Sequence, residues 1–79
     1  MSVSVVPEQL RFEMTRRGWD AIDLARAARL SPATVSTALA GKAISAHSMT
    51  QIARALSQAP VNELIDRLVS RDNSGLGFA

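Results

Sequence analysis

The chain has 79 residues, 47% of them hydrophobic, and a formal charge of +2. That composition allows one small domain, which buries only about 60–65% of the surface its unfolded chain exposes. With no cysteine there is no disulfide and no thiolate metal site. No apolar run approaches the ~20 residues that span a bilayer. Residues 3–6 are too short for a signal peptide and lack its charged start, so a cytoplasmic protein is expected.

Residues 1–6 alternate Ser and Val and form an N-terminal arm with a strand-like pattern. Pro7 and Glu8 suit the first turn of a helix running to about Arg17, with Gly18 ending it. Leu10 and Met14 share a face of this helix; Phe12 lies off that face and needs another partner. Asp20 is placed to cap a second helix over 21–28, with Asp23 at capping-box spacing. Arg29, Leu30 and Ser31 make a three-residue turn. Ser31 caps a third helix, Pro32 takes its first position and Gly41 ends it. Ile44 and Met49 can form a hydrophobic staple around a Ser45 cap. Met49, Ile52, Ala53 and Leu56 then give a fourth helix an apolar stripe. Pro60 breaks the chain. Val61, Leu64, Ile65, Leu68 and Val69 make a second stripe, on helix five. Residues 7–70 therefore read as an all-α bundle of five short helices, and 71–79 as a flexible tail.

The segment 20–41 is the most informative. Leu24, Ala25, Ala28, Leu30, Val35, Ala38 and Leu39 fall where two short helices and a tight turn must bury their inner faces. A small residue is required at Ala25, where the helices cross. Ala33, Thr34, Ser36 and Thr37 are expected to face outward, an arrangement that fits a DNA major groove. Charge agrees. Residues 1–58 carry Arg11, Arg16, Arg17, Arg26, Arg29, Lys42 and Arg54 against Glu8, Glu13, Asp20 and Asp23. Residues 59–79 lack that basic excess, so it sits with the helix-turn-helix.

Gly18-Trp19-Asp20, Leu24-Ala25, Leu30-Ser31, Thr34-Val35-Ser36, Gly41-Lys42, Ile52-Ala53-Arg54-Ala55-Leu56 and Pro60-Val61-Asn62-Glu63-Leu64 resemble the Cro/repressor-type (XRE) helix-turn-helix regulators. The resemblance covers roughly residues 10–68. The run Ser-Pro-Ala-Thr-Val-Ser also resembles the lac-repressor-type headpiece, which begins almost directly with its helix-turn-helix. The helix preceding it here favours the Cro/repressor type. That resemblance implies a lambda-repressor-like fold and a small bacterial or phage repressor, without cofactor, metal or enzymatic activity. It implies double-stranded DNA as partner and a homodimer, formed on the DNA if not before. Carried over residue by residue, Pro32, Ala33, Ser36 and Thr37 match its base-reading positions. Ser31, Thr34, Lys42, Arg16, Arg17 and His47 match its phosphate contacts.

The sequence departs from the family in three places. Arg29 stands where a left-handed glycine is usual, a cost of about 1 kcal/mol that phosphate contact by Arg29 would offset. Asp20 and Asp23 put negative charge at the start of helix two, an end that in the family usually faces the DNA backbone, which is expected to weaken binding slightly. The reading helix has no Arg, Gln or Asn, so bidentate base recognition is absent and DNA shape has more to contribute.

Other features have plainer readings. His47 is the one histidine and lacks fellow metal ligands or a nucleophile, so it is a surface residue. Gly75-Leu76-Gly77 is tail composition, not a phosphate loop. Trp19 suits a core edge better than a base stack. Leu64, Ile65 and Leu68 serve either the core or a dimer interface, with residues 3–6 and Phe12 as further candidate surfaces. That stripe, with the weak reading helix, also supports an alternative function, a helical protein–protein module such as an adaptor or antitoxin half.

Overall fold

The computed structural model describes residues 1–69. Five helices form: α1 (Pro7–Arg16), α2 (Ala21–Ala28), α3 (Pro32–Leu39), α4 (Ala46–Gln58) and α5 (Glu63–Leu68). Two strands of two residues each, β1 (Ser2–Val3) and β2 (Ile44–Ser45), pair antiparallel, Ser2 opposite Ser45 and Val3 opposite Ile44. The strand-like arm thus finds a partner in the segment before α4, which the sequence reading had not assigned. The Ala46 amide donates to the Met1 carbonyl at 3.1 Å, and Val3 and Val5 pack against the core.

The core is Leu10, Met14, Leu24, Ala25, Ala28, Val35, Ala38, Ile44, Ile52 and Ala55. Leu24 and Val35 are fully buried, and burial of one such side chain stabilises by about 1.5–3 kcal/mol. The expected α4 stripe needs one correction. Ala53 is exposed, and Ala55 takes the inward position. It lies three residues after Ile52, on the helix face that meets α2. Trp19 packs against the core as a half-buried edge residue. The other helices meet in a chain: α2 packs on α3 and α4, and α1 on α3 and α5.

The caps explain the short helices. Asp20 and Asp23 form a full capping box: Asp20 Oδ1 accepts from the Asp23 amide at 2.8 Å, and Asp23 Oδ2 from the Asp20 amide at 3.0 Å. Ser31, Ser45 and Asn62 cap α3, α4 and α5 by accepting from the amides of Thr34, Ser48 and Ile65. At their other ends α1, α2 and α3 close in one way, a left-handed residue with paired reverse hydrogen bonds. Gly18, Arg29 and Gly41 occupy that position, with φ of 72°, 58° and 77°. Beyond Arg29, for example, the Leu30 amide reaches back to the Ala25 carbonyl at 2.9 Å.

Helix α5 is attached differently. It buries no residue. Its inward contacts are Ile65, whose Cδ1 lies 3.3 Å from where a Gly18 side chain would begin, and polar links to α1. The Asn62 amide donates to the Arg16 carbonyl at 2.9 Å, and Arg16 Nε to Asp66 Oδ1 at 2.7 Å. Leu64 and Leu68 are 67% and 77% exposed. The expected tail, 71–79, lies outside the described residues.

Candidate nucleic-acid interface

The turn between α2 and α3 and the face of α3 behind it form the candidate site. Val35 and Ala38 turn inward against α2, and half-buried Leu39 follows them. The opposite face carries Pro32, Ala33, Ser36 and Ala40, all exposed, with half-buried Thr37 at its edge. Two outward-facing expectations change. Thr34 and Thr37 are both half-buried. Thr37 Oγ1 donates to the Ala33 carbonyl at 2.9 Å, the back-bond open to threonine inside a helix. What it offers outward is a methyl group and oxygen lone pairs. Thr34 Oγ1 lies 2.9 Å from Ser31 Oγ, so those hydroxyls are joined at the cap.

With its side chains an α-helix is about 10–12 Å across, which a major groove about 12 Å wide admits. At one end of α3 stands Arg29 and at the other Lys42, both exposed and without a side-chain hydrogen bond or ion pair among the described residues. His47, in the first turn of α4, is exposed too. Small outward side chains let a partner approach the helix backbone closely, and the flanking cations suit a polyanion.

Arg16 and Arg17 lie elsewhere. Glu13 Oε1 accepts from Arg16 at 3.1 Å and from Arg17 at 2.7 Å. Arg17 also donates to the Glu13 and Leu56 carbonyls, and its side chain is only 10% exposed. The Asp66 hydrogen bond, foremost among its contacts, raises the Arg16 pKa above its ordinary value. Arg16 also sits over the Phe12 ring, 5.4 Å from its centre, which answers what the off-face phenylalanine packs on. These two arginines join α1 to α4 and α5, and their donors are committed within the fold.

Two positioning residues escaped the sequence reading. Arg11 Nη2 donates to the Leu39 carbonyl at 3.2 Å and holds the C-terminal end of α3 from α1. Gln51 Nε2 donates to the Ala28 carbonyl at 3.2 Å and satisfies the C-terminal end of α2 from α4. Both span elements distant in sequence, so no local spacing reveals them. Asn62 differs, because an Asn three residues before a helical amide, with Glu63 and Asp66 in the first turn, is a readable cap. Among the described residues no three His, Cys, Asp or Glu gather as metal ligands, and no helix is long and apolar enough to cross a membrane.

Five helices around a tightly capped helix-turn-helix, with a small-residue face between two free cations, define a DNA-binding domain. A family model described as the Cro/C1-type HTH DNA-binding domain matches residues 9–67. The chain belongs to that family, and it is a DNA-binding regulator of a kind that is typically not enzymatic. Comparison with curated proteins and with solved structures returned no significant match.

Proposed function

We propose that α3 enters the major groove of duplex DNA and that the domain is a small repressor of bacterial or phage type acting in the cytoplasm. The observation that carries this reading is the exposed face of α3 between Arg29 and Lys42. Pro32, Ala33, Ser36 and Thr37 read bases: Ala33 and the Thr37 methyl pack on thymine methyl groups, and Ser36 supplies a hydroxyl. Ser31, Thr34, Arg29, Lys42 and His47 serve the phosphates. Arg16 and Arg17 are left out of this set because their donors are already engaged.

Such small reading residues give one domain little affinity, so two copies pair on a two-fold site with half-sites about one helical turn apart. Leu64 and Leu68 are the pairing residues we favour, since both point away from the fold. Ile65 supports them from behind, against Gly18.

Selection of bound fragments from random DNA tests groove reading, specificity and half-site spacing together. Ser36→Ala is expected to cost about 1–3 kcal/mol on the selected site while its melt is unchanged. Unchanged affinity would remove α3 as the reading helix. Leu68→Glu is expected to abolish pairing in sedimentation at high concentration; a wild-type monomer that binds one half-site as tightly as the palindrome would remove the dimer. The same exposed leucines would serve a protein–protein module that binds no DNA, and the absence of salt-dependent duplex binding would favour that reading.

A further inference from the structure

Beside the α2–α3 turn lies a shallow groove of about 310 Å³, lined by Ala27, Ala28, Arg29, Gln51, Arg54 and neighbouring residues of α4. One of its two cations, Arg54, is held in place by a chain of contacts. Gln51 Nε2 donates to the Ala28 carbonyl at 3.2 Å, and Gln51 Oε1 accepts from Arg54 Nη1 at 3.2 Å. The C-terminal end of α2 thereby fixes Gln51, and Gln51 fixes Arg54. Arg29 comes to the same groove from the left-handed turn position, a conformation that disfavours every residue but glycine and a few others.

Among the described residues no acid lines this groove. Glu13 and Asp66 are paired with Arg16 and Arg17 between α1 and α5. Asp20 lies about 13 Å of helix from Arg29, beyond the Debye length of about 8–10 Å, and Asp23, about 9 Å away, has its carboxylate engaged by the Asp20 amide in the capping box. Glu8 and Glu63 belong to α1 and α5 and do not line the groove. Arg26, exposed on α2 three residues before Arg29, adds to the same charge.

The lining points to a polyanion, not to a protein. Its apolar part is alanine alone, so it has no aromatic or long aliphatic anchor of the kind that dominates protein interfaces. Arg29 ties it in sequence to the proposed reading helix, two residues before the Ser31 cap of α3. We propose that Arg29 and Arg54 together hold a backbone phosphate of duplex DNA just beyond the stretch that α3 covers. This rests on the DNA-binding reading above and extends the footprint onto α4, which that reading otherwise uses only at its first turn. It also gives Arg29 a reason to stand where glycine would be easier.

The test is a salt titration of the full chain on a random-sequence duplex, comparing wild type with Arg54→Ala, Arg54→Lys and Lys42→Ala. Arg54 is exposed, and a thermal melt checks that each variant folds. Losing one phosphate contact shrinks the slope of log K against log salt by about 0.9. That loss is expected for Arg54→Ala, with the slope retained in Arg54→Lys. A wild-type slope retained in Arg54→Ala while Lys42→Ala loses its unit would overturn the proposal and leave the DNA-binding reading intact. Failure of the wild type to bind with any salt dependence would overturn both.

Discussion

Helices α2 and α3 are fixed by what they bury, whereas α5 is fixed by what it hydrogen-bonds. The first pair contributes Leu24, Ala25, Ala28, Val35 and Ala38 to the core. Helix α5 contributes none and hangs on α1 through Asn62, Asp66 and the half-buried Ile65. The alanines of α2 and α3 let the two backbones approach, so the proposed reading face is carried on a closely packed pair. Dispersion and burial at close contact are not screened by ionic strength as charge interactions are. The Arg16 and Asp66 side chains are 25% and 37% exposed, a setting in which ion pairs contribute little and are screened. A DNA-binding domain works in the field of a polyanion, and on this division the reading pair is insulated from it while α5 is not.

Substitutions in the two regions should therefore differ most in global stability. Leu24→Ala removes a side chain with no exposure and is expected to cost about 2–5 kcal/mol, much of the stability of so small a domain. Leu68→Glu changes a side chain that is 77% exposed and should alter monomer stability by no more than about 0.5 kcal/mol. Thermal melts of both at low concentration test this. Equal losses would mean that α5 is as much part of the cooperative unit as α2.

The caps sharpen the same contrast. Ser31→Ala unties the amide of Thr34 at the start of α3 and should lower global stability by about 0.5–2 kcal/mol. Asn62→Ala unties Ile65 in the same manner. Because α5 is held locally, its effect should appear as faster amide exchange confined to α5, with the melt nearly unchanged. A fall in melting temperature matching that of Ser31→Ala would contradict local attachment.

Arg29→Gly acts within the closely packed pair in the opposite direction. Relief of the left-handed backbone is worth about 1 kcal/mol, partly offset by the greater freedom of unfolded glycine. A rise in melting temperature is expected, together with weaker duplex binding. A variant that is both more stable and an undiminished binder would leave Arg29 without a functional reason.

The contrast also separates what the sequence made legible from what it did not. The helix-turn-helix was readable because local chemistry specifies it: Asp20 with Asp23, Ser31 with Pro32, and Gly41 mark its boundaries within a few residues of one another. The left-handed Arg29 came from the family resemblance, whose turn usually has glycine there. Helix α5 shows the limit. Its stripe of Val61, Leu64, Ile65, Leu68 and Val69 has core periodicity, yet Leu64 and Leu68 face outward, since one shallow contact with α1 reaches only part of a helix. Periodicity tells which residues share a face, not whether another element covers it. The candidate interface cations show a different limit. Arg16, Arg17, Arg29 and Lys42 are alike in composition, and only the positions of Glu13, Asp66 and the Leu56 carbonyl divide the committed from the free.

The smallest effect expected concerns pH and the start of α2. The hydrogen bond from the Asp23 amide, foremost, lowers the Asp20 pKa below its ordinary value of 3.8, against a weaker opposing effect of burial. A carboxylate whose pKa is depressed by folding stabilises the fold above its unfolded pKa, and that contribution disappears as pH falls through the lower, folded value. The window therefore lies below about pH 3.8, and nothing should change between pH 5 and 8 on this account. Asp20→Asn keeps an oxygen that accepts from the Asp23 amide and removes the titrating charge. Its melting temperature near neutrality should stay close to that of wild type, while its further loss of stability on acidification should be smaller. A parallel acid profile in the two proteins would show that this capping box does not couple to folding.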